Sequence, residues 1–139
     1  MKTMMLVALL IMPLALFAQS RNDNALVIQS DMEGIESLLL KNFYKIAQIN
    51  EERFATKPKP IEGSVYAYDL TVSLHGFIVE DELIIYANYS FRGGLGNQET
   101  YSGRADYQRR RNVGRRLAFD EMDRVFKQLK KPIEYRNMK

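Results

Sequence analysis

An alternation of apolar and polar residues between positions 64 and 91 constrains the fold of this chain more than any other feature. The stretch is rich in β-branched and aromatic residues, which favour strands. A tight turn at Glu80-Asp81 would place two apolar series opposite each other on one face. The first series is Tyr66, Tyr68, Leu70, Val72, Leu74 and Ile78, and the second is Leu83, Ile85, Ala87, Tyr89 and Phe91. Because a slip of one residue would turn every side chain to the other face, the pattern predicts one register.

The predicted register pairs apolar residues with apolar residues and polar residues with polar ones. On the apolar face the pairs are Ile78–Leu83, Leu74–Ala87, Val72–Tyr89 and Leu70–Phe91, and on the polar face they are Asp69–Arg92, Thr71–Ser90, Ser73–Asn88 and His75–Tyr86. Glu-Asp is not a favoured pair for a two-residue turn, so a longer loop over residues 79–82 is the alternative. Gly76, opposite Ile85 on the apolar face, predicts a close approach by the first helix or a local bulge.

The N-terminus has the order of a secretory signal peptide: a positive start, an apolar run over residues 4–17, and then small or polar residues. Cleavage after Ala18 and cleavage after Ser20 both fit this pattern. An uncleaved membrane anchor is the alternative, but a helix of 14 residues is about 21 Å long, shorter than a hydrocarbon core of about 30 Å. We therefore expect residues 1–20 to be a signal peptide and residues 21–139 to form a single exported domain.

Two other stretches have helical periodicity. In the first, residues 30–33 have the spacing of a capping box, and we predict a helix over residues 31–54, which must end before Pro58. The second predicted helix ends at Lys131, before a proline. The apolar stripe of the first helix is Ile35, Leu38, Leu39, Phe43, Ile46 and Ile49; that of the second is Ala118, Met122, Val125 and Leu129, widened by Leu117, Phe119 and Phe126.

Together these elements predict an α+β two-layer sandwich with the order helix, long antiparallel β-hairpin, helix. Both helices would cover the apolar face of the hairpin, since an isolated hairpin is marginally stable in water. Residues 100–107 are a possible third strand, and Ala25–Gln29 is a possible edge strand or docking segment. The polar face of the hairpin would stay open to solvent or to a strand of a partner.

The two halves of the exported sequence have opposite charge. Residues 21–91 carry 6 basic and 11 acidic side chains, a net charge of −5, whereas residues 92–139 carry 13 basic and 6 acidic ones, a net charge of +7. The halves could simply attract each other within the domain, or the basic half could face an anionic partner. Guanidinium groups bind carboxylates and phosphates in bidentate fashion, and export argues against nucleic acid as that partner. The candidate anion-binding cluster is Arg104, Arg109, Arg110, Arg111, Arg115 and Arg116.

The polar face of the hairpin is the second candidate surface, formed by Asp69, Thr71, Ser73, His75, Tyr86, Asn88 and Arg92. Asp69, Ser73 and His75 are the residue types of a catalytic triad. Residues two apart on a strand are separated by roughly 7 Å, however, which argues against the hydrogen bond that activates a nucleophile. We therefore predict no catalytic residue on this face.

Composition excludes several other chemistries. The sequence has no cysteine for a disulfide, a thiolate metal site or a nucleophile, and its single histidine leaves no multi-histidine metal centre. The glycine-rich residues 93–96 lack the Lys-Ser or Lys-Thr and the immediate helix of a phosphate-binding loop. The three adjacent carboxylates of residues 80–82 cannot all converge on one calcium ion. We expect no metal and no cofactor.

The sequence thus favours a small non-enzymatic binding or accessory protein of the cell envelope, periplasmic or secreted. It would dock on a larger assembly, with another envelope protein or an anionic surface as its partner, and would have no stable membrane span after signal cleavage. One alternative is a lipid or small-ligand carrier with a pocket between hairpin and helices, lined by Leu70, Val72, Tyr89 and Phe91. A small hydrolase is a further alternative, with less support because no catalytic constellation is visible. The oligomeric state stays open.

If the arginine cluster faces outward, replacing Arg109, Arg110 and Arg111 together with alanine should leave the domain folded. The measurement is thermal unfolding followed by circular dichroism, in which the triple variant should retain the cooperative transition of the wild-type protein. Loss of that transition would identify the cluster as an electrostatic clamp inside the domain.

Overall fold

The structure is a computed structural model that describes residues 22–62, 67–93, 99–108 and 113–138. The predicted signal peptide therefore lies outside the described residues, as do most of the glycine-rich segment and Arg109, Arg110 and Arg111 of the predicted cluster. Within the described residues the chain forms two helices and one antiparallel sheet of eight strands. The fold is mixed α and β, as predicted, but the sheet dominates it, and the predicted helix–hairpin–helix sandwich is too simple.

The strands are β1 (Ala25–Gln29), β2 (Ile46–Ile49), β3 (Arg53–Thr56), β4 (Lys59–Pro60), β5 (Ala67–Val79), β6 (Glu82–Gly93), β7 (Thr100–Arg104) and β8 (Glu134–Arg136), and the helices are α1 (Ile35–Lys41) and α2 (Gly114–Lys127). Their order in the sheet is β2-β3-β5-β6-β1-β8. Strand β4 pairs with β5 beyond the end of β3, and β7 pairs with β6 beyond the end of β1. The long hairpin β5–β6 is therefore the centre of the sheet.

The register of this hairpin confirms the predicted one over most of its length. Ile78 lies opposite Leu83, and Val72 opposite Tyr89, while the polar pairs from His75–Tyr86 to Thr71–Ser90 are also formed. The turn is the tight one: Val79 pairs with Glu82, and Glu80 and Asp81 have φ angles of 49° and 66°. The left-handed conformation is unfavourable for Glu80 by about 1–2 kcal/mol, whereas aspartate adopts it more readily. The matched faces of the two strands outweigh that cost.

A β-bulge changes the register at the far end of the hairpin. Asp69 has a φ angle of 53°, and Arg92 lies opposite Tyr68 rather than Asp69. The predicted Asp69–Arg92 pairing is therefore wrong for the backbone, although the two side chains form an ion pair across the bulge. The extra residue on β5 also removes the predicted pairing of Leu70 with Phe91.

The predicted helix over residues 31–54 is wrong, since α1 spans only Ile35–Lys41 and the rest of that stretch forms β2 and β3. The capping box is not formed either: the Asp31 carboxylate, not Ser30, accepts the Glu33 amide at 2.9 Å. Asn50 reverses the chain, because its side-chain oxygen accepts the amides of two residues that follow it, at 2.8 and 3.0 Å. Apolar residues spaced three apart fit a helix, but they also fit two short strands joined by such a turn.

The C-terminal half follows the prediction more closely. Helix α2 buries Ala118, Phe119, Met122, Val125 and Phe126, as its apolar stripe predicted, and β7 is the possible third strand. Strand β8 was not predicted. It pairs with β1, so Ala25–Gln29 lies inside the sheet, between β6 and β8, and not at its edge.

Both helices lie on one face of the sheet, here called the covered face, which carries Leu70, Val72 and Leu74 of β5. The close approach predicted at Gly76 comes from a neighbouring strand, not from a helix: a Cβ there would overlap the ring of Phe54. The opposite face, here called the open face, carries Thr71, Ser73 and His75 of β5, which are half-buried. At one end of the open face the C-terminal segment packs over a small apolar cluster of Ala25, Val27, Ile84, Phe77 and Met138.

Replacing Val72 with aspartate should unfold the domain. Val72 is 0% exposed on the covered face, so the variant would bury an unpaired carboxylate at a cost of about 4 kcal/mol or more. Thr71→Asp is the matched control, since this neighbour lies on the open face and should cost about 1 kcal/mol or less. Urea unfolding measures both. Similar stabilities for the two variants would mean that the faces are assigned wrongly.

Candidate functional site

The candidate site is a cleft of about 490 Å³ on the open face. It adjoins the apolar cluster under the C-terminal segment, since Phe77 belongs to both. Its walls come from strands β2, β3, β5 and β6 and from the turn between β2 and β3. The lining residues are Gln48, Glu51, Glu52, Arg53, Phe54, Ala55, His75, Gly76, Phe77, Ile78 and Tyr86. The cleft thus combines aromatic side chains with side chains of both charges.

Strand pairing explains why these residues meet. Ala55 pairs with His75 and Arg53 with Phe77, which sets Arg53 and Ala55 on the open face beside the polar residues of β5. Gln48 pairs with Ala55 and faces the same way. The contribution of β2 and β3 was missed at the sequence level because their residues were assigned to a helix. Asn50, a residue type that favours turns, was the sequence signal that could have indicated a chain reversal between two strands.

A row of stacked side chains crosses the open face from β5 to β7. The ring of His75 stacks on Tyr86, with centroids 5.0 Å apart and planes 11° apart. The Arg104 guanidinium lies over the same Tyr86 ring at 4.3 Å from its centroid. Because β5 and β7 flank β6 on opposite sides, Tyr86 lies between the two. The row His75–Tyr86–Arg104 therefore joins the predicted polar face to one member of the predicted arginine cluster.

His75 also forms the contact that strand spacing seemed to exclude. Its Nε2 lies 2.9 Å from Ser73 Oγ and 3.3 Å from Asn88 Nδ2. The argument from a separation of roughly 7 Å is wrong here because it measures the backbone, whereas the imidazole reaches along the strand towards the hydroxyl. Burial, and then the charge of Arg104, lower the pKa of His75, so the ring is neutral at neutral pH and Nε2 can accept the Ser73 proton.

The Ser73–His75 pair is not completed by the third residue of the predicted triad. The Asp69 carboxylate pairs with Arg92 across the bulge, at the far end of the hairpin, and is mostly exposed. A general base needs an orienting partner on its second nitrogen, and Asp69 does not fill that role. The contact between Ser73 and His75 therefore runs along one strand of the open face, apart from the Asp69–Arg92 ion pair.

The described members of the arginine cluster do not form one surface. Arg116 is 8% exposed and is held inside the domain: its Nη1 donates to the Gln108 carbonyl at 2.6 Å and its Nε to Asp120 at 2.9 Å. Its guanidinium also lies 3.8 Å from the centre of the Tyr107 ring. Arg115 lies 3.5 Å from the buried Asp106 Oδ1. Arg115 and Arg116 thus bind groups within the domain, while Arg104 lies on the open face.

The region predicted to hold a carrier pocket is packed. Leu70 and Val72 are buried under α2. A Cβ at Gly114 would lie 2.7 Å from the ring of Phe91, which leaves no room between helix and strand at that point. Phe91 also stacks between Tyr89 and Tyr101 at centroid distances of 5.8 and 5.4 Å. The cleft lies on the opposite side of the sheet.

In the described part of the chain, no group of three or more His, Asp or Glu side chains is placed to hold a metal ion. No helix among the described residues is long and apolar enough to cross a membrane. Comparison of the chain with protein-family models gave no match, and neither did comparison with curated proteins or with solved structures. The geometry of the site therefore carries the functional argument.

Lowering the pH should destabilise the domain in part through His75. The pKa of the folded-state ring lies below the ordinary value of 6.5, so the unfolded chain binds the proton more readily. The stability contributed by the neutral ring is present above pH 6.5 and is lost as the pH falls below that value. Urea unfolding near pH 7.5 and near pH 5 should show a smaller loss for His75→Gln than for the wild-type protein. Equal losses would contradict the lowered pKa.

Proposed function

We propose that this chain is a small exported, non-enzymatic binding module of the cell envelope that docks on a protein partner through its open face. One observation carries the proposal: the helices bury one face of the sheet, while the other keeps a cleft and a stacked row of side chains accessible. The row His75–Tyr86–Arg104 is held in place by its own contacts, because each member stacks on the next. Such preorganisation lowers the entropic cost of binding.

The charges of the open face suit a polypeptide with both acidic and basic side chains. Among the described residues, neither Arg53 nor Arg104 has an acidic group within 4 Å. Both guanidinium groups can therefore donate hydrogen bonds to a carboxylate of a partner. Glu51 and Glu52 lie at the rim of the cleft and would disfavour a purely anionic ligand. Tyr86 adds a rigid aromatic side chain, a residue type enriched in binding hot spots.

A carrier of a small polar ligand is the second candidate, and the size of the cleft favours it. A volume of about 490 Å³ lies within the range of small-molecule sites. In this case the ligand would occupy the cleft itself, not the predicted pocket under the helices. Native mass spectrometry of the purified protein separates the candidates, because a carrier would retain a bound small molecule and a docking module would not.

The proposed docking is tested by capturing the tagged, exported protein from gently solubilised envelope at about 50 and 500 mM salt. A protein partner should be retained at low salt and reduced at high salt. Arg104→Glu should lower its recovery tenfold or more, because the variant reverses a charge and removes the stack on Tyr86. Lys130→Glu is the control: it makes the same change of charge at an exposed residue that belongs neither to the stacked row nor to the cleft.

Two results would contradict the docking proposal. One is a partner that Arg104→Glu and Tyr86→Ala retain as well as the wild-type protein does. The other is the absence of any protein partner at either salt concentration, combined with a bound small molecule in native mass spectrometry. That combination would support the carrier instead.

A further inference from the structure

Two large apolar side chains at the end of α1 are exposed. Phe43 is 84% exposed and Leu40 is 54% exposed, the two highest values among the large hydrophobic residues that the structure describes. Leu40 lies in the last turn of α1, and Phe43 is the residue directly after the C-cap Asn42. Packing within the domain does not explain these two residues, since neither side chain belongs to a core cluster.

The backbone at Phe43 is also unfavourable for a phenylalanine. Its φ angle is 66°, and the amides of Phe43 and Tyr44 bond to the carbonyls of Leu40 and Leu39, each at 3.0 Å. This pattern is a Schellman cap, in which the left-handed residue is usually glycine and sometimes asparagine. A phenylalanine with its ring in solvent therefore contributes nothing to this cap that glycine would not.

The neighbours of Phe43 hold it in this position. Asn42 is buried, and its carbonyl accepts Lys59 Nζ at 2.8 Å while its side-chain oxygen accepts Gln128 Nε2 at 2.9 Å. Tyr44 is 1% exposed and its hydroxyl donates to Glu121 at 3.3 Å. With both flanking residues anchored, the strained residue between them projects its ring outward. Strain that the surrounding structure maintains in this way is typical of functional positions.

Basic residues lie next to the two apolar ones along the chain and across the adjoining backbone pairing. Lys41 precedes Asn42 in the chain, and the Lys57 amide donates to the Lys45 carbonyl at 2.8 Å, so Lys45 and Lys57 lie together next to the cap. All three lysines are exposed, and none has an ion pair with a described residue. Arg124 also reaches the cap, through a 3.3 Å hydrogen bond to Asn42, but it is ion-paired with Glu121 at 2.6 Å. Glu121 is mostly buried, and the exposed Glu36 lies one turn before Leu40.

We propose that Leu40 and Phe43, with Lys41, Lys45 and Lys57, form a contact surface for an anionic lipid bilayer. The two apolar side chains would insert into the boundary between headgroups and acyl chains, while the lysines lie at the level of the anionic headgroups. The charge pattern selects a bilayer over a second copy of this chain, because two such surfaces would bring like charges together. The surface lies on the helical side of the sheet, so the open face stays accessible in the bound state.

The test is co-flotation with vesicles of phosphatidylcholine containing about 30% phosphatidylglycerol, using protein purified after export so that the signal peptide is absent. The wild-type protein should bind these vesicles and should bind pure phosphatidylcholine at least tenfold more weakly. Phe43→Asn should reduce binding to the anionic vesicles at least tenfold, while its melting temperature stays equal to that of the wild-type protein or rises. Phe43→Trp should restore binding, since the ring is replaced by another apolar ring.

Matched variants separate the two components of the surface. Replacing Lys41, Lys45 and Lys57 with glutamine should reduce binding to anionic vesicles roughly tenfold or more and should remove its salt dependence. Val79→Ser is the apolar control, because Val79 is 45% exposed beside the acidic turn of the hairpin and should not contribute. Its binding should equal that of the wild-type protein.

The proposal is overturned if the wild-type protein fails to float with anionic vesicles, or if Phe43→Asn floats as well as the wild-type protein does. It is also overturned if Val79→Ser loses as much binding as Phe43→Asn, since the effect would then not depend on this surface. Light scattering tests whether a second copy of this chain covers the surface instead. A dimer that Phe43→Asn dissociates would assign the two apolar residues to self-association instead.

Discussion

The pairing of β5 with β6 is the interaction on which the rest of the structure depends. These strands of 13 and 12 residues join through a two-residue turn, and their register decides which side chains face the helices and which face away. Every other described strand except β2 and β8 pairs directly with one of them. A shift of one residue would bury the polar series and expose the apolar one, so burial specifies the register from the turn as far as the bulge at Asp69.

From this hairpin the two faces acquire different uses. The covered face is filled by α1 and α2 to the point where Gly114 touches Phe91, and Phe54 occupies the space that the missing side chain of Gly76 leaves. Among the described residues, the segment that covers part of the open face is the C-terminal one, which lies on Val27 and Ile84. What remains is the row His75–Tyr86–Arg104 and the cleft beside it, and the proposed docking function depends on that asymmetry.

The exposure of Phe43 at the cap of α1 results from the burial of its two neighbours in the chain, and not from the sheet. Asn42 and Tyr44 are both buried and hydrogen-bonded, so the backbone between them must reverse in a left-handed conformation. The residue in this conformation is a phenylalanine next to several lysines, although glycine would have the lower conformational energy there. Because this arrangement adds nothing to the core, an external surface is its most direct physical explanation, and a bilayer fits both its apolar and its basic parts.

The sequence by itself determined the hairpin, its polar face and the apolar stripe of α2, because alternation over a dozen residues and a helical stripe over four turns leave few alternatives. It left open whether two residues or a longer loop form the turn of the hairpin. It did not determine the short elements. Ile46 and Ile49 fit a helix as well as a strand, and only the pairing of β3 with β5 selected the strands. The sequence also did not determine where the arginines lie. Arg116 is buried inside the domain and Arg104 lies on the open face. Charge alone does not say which side of a strand or helix meets the core. The cleft depends on contacts between residues more than 20 positions apart, such as Arg53 and Phe77, and such contacts exist only once the tertiary structure has formed.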